Sequence, residues 1–140
     1  MSFPGPDEFY NQYRNNPVEA RKKAFEVGAD MGRALKSRNN IQGEDLAAVA
    51  EILNATMKAV HGEPSARAEE NSVTMRNTGF CAIMRAALTL NVPWEWLDNN
   101  FAWPWLEGIV SVIRSGIRLR IPSARCRGDE ACMHIFEVKQ

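Results

Sequence analysis

Three cysteines and two histidines carry the chemistry in this 140-residue chain that goes beyond packing. Cys126 and Cys132 flank Gly128-Asp129 with five residues between them, and His134 follows two positions later. Cys81 and His61 lie far upstream. Zinc prefers thiolate and imidazole ligands in a tetrahedron, and three cysteines with one histidine is a common structural set. Cys81, Cys126, Cys132 and His134 therefore form the candidate metal set, with zinc as the candidate cofactor. Cys81 has a second reading. It falls in the first turn of an apolar helical stretch, where N–H groups and the helix dipole favour a thiolate, so it is also the candidate nucleophile of a thiol-dependent hydrolase. Against both stands ordinary core packing, the commonest fate of a free cysteine. His61 reads as a favourable charge at a helix C-terminus.

Joint action by Cys126 and Cys132 depends on the loop between them, because strand side chains alternate faces and pairing decides which residues sit opposite. A loop of three residues (128–130) or five (127–131) puts the two cysteines directly opposite each other, with Cβ atoms ~4.5–5.5 Å apart. A two-residue Gly128-Asp129 loop sends them to opposite faces. The odd-numbered loop is the favoured expectation, and with it His134 shares the face of Cys132.

The elements that must position these residues can be read from capping and periodicity. Residues 1–16 are rich in proline and polar side chains and read as an arm that docks through Phe9, Tyr10 and Tyr13. Asn16 as cap and Pro17 as first residue start a helix that runs to about Ser37. Gly28 and Gly32 lie on its apolar stripe and imply close approach of another backbone or a ligand, with packing of another helix the favoured cause. Glu44 and Asp45 open a second helix ending near His61-Gly62, and the two form an antiparallel hairpin. Ser72 to Thr78 reads as a strand, and Phe80 to Leu90 as a helix buried on most sides, capped by Thr78 and Gly79. Pro93 and Pro104 each begin a further helical piece, with a break between them. Ile117, Leu119 and Ile121 alternate with arginines as in a half-buried strand, and Cys132 to Val138 returns beside it. The expected fold class is α+β: an N-terminal helical hairpin, then further helices packed on a small antiparallel sheet that ends in a C-terminal β-hairpin. The expected domain spans residues 17–140.

Composition narrows the function classes. Seventeen basic residues balance seventeen acidic ones, so no net field draws the chain to nucleic acid. Residues 1–8 lack the basic and apolar regions of a secretory signal, and no stretch is long enough to span a membrane. A cytoplasmic location is the expectation. An odd cysteine count without an export signal argues against a disulfide framework.

The run from Cys126 to Phe136, Cys-Arg-Gly-Asp-Glu-Ala-Cys-Met-His-Ile-Phe, resembles the terminal cysteine hairpin of the 4-vinyl reductase (hydrocarbon-binding) domain family. The element order over roughly residues 17–139 is similar as well. The resemblance implies a small-molecule-binding or sensory module, often a homodimer, with an apolar pocket between helices and sheet and zinc in some members. Cys126 and Cys132 match the hairpin cysteines, and Cys81 the upstream one. Zinc-holding members usually carry a glutamate three residues ahead of the first hairpin cysteine, where this chain has Ser123, and they space the cysteines more widely. The chain also resembles the L-2-amino-thiazoline-4-carboxylic acid hydrolase-like group, in which Cys81 would be the nucleophile.

Three functions follow, in this order. The first is a module binding a small apolar or aromatic molecule, with Met31, Met57, Met84, Trp103 and Trp105 as candidate pocket walls. An oligomer-forming or interaction subunit comes next, and a hydrolase using Cys81 last. Binding rather than catalysis is the expectation.

Overall fold

Helix starts fall where capping chemistry puts them. In the computed structural model, which describes residues 5–139, α2 (Pro17–Arg38) begins with the Asn16 side chain accepting the Glu19 N–H at 3.4 Å and Pro17 in the first turn. The Asp45 carboxylate caps α3 (Leu46–Ala59) by accepting the Ala48 N–H at 3.0 Å. The arm expected at the N-terminus is helical over α1 (Pro6–Tyr13), with Pro6, Asp7 and Glu8 supplying the first-turn chemistry; residues 1–4 of that arm lie outside the described residues. The docking through Phe9, Tyr10 and Tyr13 is present. Phe9 is fully buried among Tyr13, Trp96 and Phe101, and the Tyr10 ring meets Trp96 edge-on at 5.0 Å.

Four antiparallel strands form one sheet in the order β1-β2-β4-β3, from β1 (Arg67–Ala68), β2 (Ser72–Asn77), β3 (Ile117–Ser123) and β4 (Cys132–Val138). The short edge strand β1 was not expected. Its two exposed residues have no alternation for a periodic reading to detect. On the inner face, Val73 and Met75 of β2 lie beside Phe136 and His134 of β4, all buried. The outer face is wet and carries an Arg120–Glu137 ion pair at 2.9 Å.

Two other expectations need correcting. α4 (Ala82–Leu90) is not buried on most sides: Leu88 is 75% exposed and Ala87 is its one buried residue. Its apolar run reflects an exposed apolar edge. The break expected between Pro93 and Pro104 is also absent. α5 (Trp94–Leu97) passes through a π-helical turn, Asp98–Ala102, into α6 (Trp103–Ser111). Pro104 has no N–H to continue the ordinary ladder, and the Trp103 N–H reaches back five residues to the Asp98 carbonyl. A widened turn accommodates the proline without stopping the helix.

α6 is the centre of the molecule, with α2 on one side and α3 and the sheet on the other. It approaches α2 through glycines. A Cβ on Gly28 would lie 2.1 Å from the Trp105 carbonyl oxygen, and one on Gly108 would lie 2.1 Å from that of Phe25. Gly32 faces the Ile109 carbonyl at 2.8 Å in the same way. No side chain fits at these crossings. Gly28→Ala and Gly108→Ala should each lower the free energy of unfolding by ~1–3 kcal/mol or more, because a backbone cannot yield as a side-chain tip can. Ala34→Ser, on the exposed side of α2, should stay within ~0.5 kcal/mol of the parent. Urea denaturation of the three variants checks the contrast.

Candidate functional site

The hairpin turn places the cysteines differently from the favoured expectation. The connection between β3 and β4 covers residues 124–131 and contains a 3₁₀ turn, Arg125–Arg127. Asp129 holds it by accepting the Ala124 N–H at 2.9 Å, and Gly128 takes a φ of +95°. Ser123 pairs with Met133, so Cys126 belongs to the turn and does not oppose Cys132. The residue opposite Cys132 is Asn77 of β2, and the residue opposite His134 is Met75. Cys132 and His134 do share a face, as the alternation requires.

That face forms one wall of a cavity of about 290 Å³. Asn77, Cys132 and His134 line it from the sheet, Met57 and Val60 from the end of α3, and Cys81 and Ile83 from the start of α4. Asp98, Phe101, Trp103 and Trp105 line it from the π turn and α6. Of the expected pocket residues, Met57, Trp103 and Trp105 are therefore present. Met84 is not on the wall; its sulfur faces the Arg125 guanidinium at 3.7 Å. Met31 is absent from the wall and packs instead, half-buried, against the main core.

Each thiol has a defined environment. Cys81 is itself the N-cap of α4, one step before the expected first turn, with its sulfur accepting the Met84 N–H at 3.4 Å. Thr78 and Gly79, the expected caps, give their N–H groups to the Glu63 carboxylate. The Cys132 sulfur accepts the Arg125 N–H at 3.2 Å. Burial raises both thiols above the ordinary range, against the partial lowering by these bonds. A raised Cys81 is a weakened nucleophile at neutral pH. Cys126, off the cavity wall, is pushed up to about 12, first by burial and then by the Asp98 carboxylate to which its thiol donates. Among the described residues, no three His, Cys, Asp or Glu side chains are gathered closely enough to hold a metal ion. Cys81, Cys132 and His134 share the cavity, and Cys126 is engaged elsewhere.

Asp98 is the residue that sequence reasoning missed. The π turn carries it into the cavity wall, 5% exposed, and burial lifts its carboxyl to about 6. The available signal was the polar run Asp98-Asn99-Asn100 inside an otherwise apolar segment. Asn100 is also buried, and it is satisfied by Arg21 of α2 at 2.9 Å and by the Trp96 carbonyl at 3.1 Å. His134 is the second buried ionisable group. Its Nδ1 lies 3.3 Å from the Met75 carbonyl, which can only accept, so Nδ1 carries the proton and Nε2 a lone pair. Burial holds the ring neutral, down to about 4.

No protein-family model matches the chain, and no curated protein matches it.

Asp98 and His134 couple stability to pH with opposite signs. A carboxyl raised from 3.8 to about 6 favours the folded state at low pH, and that contribution is lost as pH rises through 6. A histidine lowered from 6.5 to about 4 contributes fully above 6.5, and that contribution is lost as pH falls toward 4. Each amounts to about 3 kcal/mol, so in the parent they largely offset between pH 4 and 6. Asp98→Asn should therefore be more stable than the parent at pH 8, by up to about 3 kcal/mol, and should lose stability steeply on acidification. His134→Gln should instead gain stability as pH falls from 6 to 4. Urea denaturation across pH 4–8 reads both; parallel profiles for all three proteins would contradict this account.

Proposed function

We propose that this protein is a small-molecule-binding module whose ligand occupies the cavity between the sheet and the π turn. One observation carries the reading: a cavity walled by aromatic and aliphatic side chains with a few polar groups converging on it. Its volume of about 290 Å³ lies at the small end of the ~300–1,000 Å³ usual for ligand pockets, which suits a molecule of one or two rings. Phe101, Trp103 and Trp105 offer flat apolar surfaces. The reading agrees with what the resemblance to the 4-vinyl reductase domain implies. Zinc at the thiols would need Cys126 to leave Asp98, and no part of the proposal depends on it.

Trp103 and Trp105 lie in the wall, so binding should change their fluorescence. Titration with a panel of small aromatic and aliphatic molecules is expected to give a saturable change for at least one of them. Val60→Phe, which fills the cavity from α3, should remove that response while leaving the circular dichroism unchanged. A flat response across the panel, or an undiminished one in Val60→Phe, would count against the proposal.

A second reading rests on α4, which leaves Leu88 75% and Leu90 42% exposed at its C-terminal end. Such an apolar edge suits association with a second copy of the chain. Sedimentation should then show a dimer that Leu88→Arg converts to monomer; a parent that stays monomeric at high concentration removes this reading.

A further inference from the structure

The polar groups on the cavity wall are unbalanced. Asp98 brings a carboxylate, and among the described residues no basic side chain forms an ion pair with it; the Cys126 thiol is its side-chain donor. Asn77 turns its amide nitrogen toward the Met57 sulfur at 4.0 Å, leaving Oδ1 buried with no hydrogen-bond partner. His134 uses its one N–H on the Met75 carbonyl and keeps a lone pair on Nε2. Asn77 and Cys132 are direct cross-strand partners, and Asp98 and Arg125 both act electrostatically on the Cys132 and Cys81 thiols, so these groups belong to one end of the cavity.

One donor side chain competes. Arg125 lines the cavity, but its guanidinium donates to the Gly79 carbonyl at 2.7 Å and faces the Met84 sulfur at 3.7 Å. What remains is an excess of acceptors and a buried carboxylate that forms no ion pair among the described residues, walled by aromatic rings: Arg127 acts on it only at longer range and is paired with Glu95 at 3.4 Å, and Arg125 is held at the Gly79 carbonyl. The rings suit a cation too: Arg127 already lies 5.1 Å from the centre of the Trp103 ring.

Resting on the binding reading above, we infer that the ligand is a compact amine: an aromatic or branched apolar body ending in an ammonium group that donates to Asp98 and Asn77. An ammonium brings three donors and a positive charge. An alcohol brings one donor and no charge, and a carboxylate would meet Asp98 with like charge. The cavity therefore selects among molecules of equal size by their head group.

Three probes of nearly one shape separate these cases: 2-phenylethylamine, 2-phenylethanol and 3-phenylpropionate, each titrated against the full chain by calorimetry and tryptophan fluorescence. The amine is expected to bind at least ~10-fold more tightly than the alcohol, and the carboxylate most weakly, because a charge-assisted bond in a buried site outweighs a neutral one. Asp98→Asn should bring the amine-to-alcohol ratio to about one. Should that variant fail to fold, Asn77→Leu, which removes the unpartnered acceptor, should lower the same ratio. Equal affinities, a preference for the carboxylate, or a ratio that survives in the folded variant would overturn the inference while leaving a binding module in place. Binding of none of the three, together with a flat response to the wider panel, would remove the binding reading and the inference with it.

Discussion

Where Gly28 meets the Trp105 carbonyl and Gly108 meets that of Phe25, α2 and α6 touch backbone to backbone. Helices with side chains between them settle at 8–10 Å and retain some freedom to slide. A crossing with no side chain in it fixes one depth and one register. α6 held in this way presents its other side to α3 and the sheet, so the position of the sheet follows from the glycines. The π turn leads into the same helix, and its widened geometry is therefore anchored at one end. Arg21, reaching from α2 to Asn100, ties the turn a second time.

The cavity lies where the sheet, the end of α3, the start of α4, the π turn and α6 meet. The π turn directs Asp98 inward, and the 3₁₀ turn after β3 brings the Cys126 thiol against it. A buried carboxyl in such a place is costly to the fold, as is a buried neutral histidine in acid. Side chains that lower stability without improving packing are the usual mark of a site kept for binding or chemistry. Asn77 Oδ1, left without a partner, adds to that cost in the same region.

Much of the fold was legible in the residues. Asn16-Pro17 and Asp45 marked helix starts because capping is local chemistry, and Ile117 to Ile121 marked a strand because alternation is a property of the chain itself. Gly28 and Gly32 announced a close crossing correctly, although nothing local could name Gly108 as the answering residue. The failures share a cause. α4 read as buried because apolar content measures what a residue prefers and not what covers it. Pro104 does stand in the first turn of α6, but a break was expected ahead of it because the alternative, a π turn, needs the stability of packing on both sides to persist. The Cys126–Cys132 register depended on a loop whose 3₁₀ turn is closed by Asp129, and the resulting pairing put Asn77 opposite Cys132. In the candidate site, Cys81, Cys132, His134 and three of the five expected wall residues could be named from their types. Asp98 was hidden inside an aromatic-rich stretch and acquires its place only through the turn.

The glycine crossing also has a consequence for how the chain reaches its native state. Gly28 and Gly108 lie 80 residues apart, so their contact closes a loop that takes in more than half of the sequence. Contacts of such separation come late and slow folding, because the entropy of closing the loop is lost before the contact can offset it. During synthesis, the glycine stripe of α2 has no partner until Gly108 has been made. Until then its apolar side is open to water and to other nascent chains. The residues that most firmly lock the finished molecule are thus without their partners for much of the time it is being built.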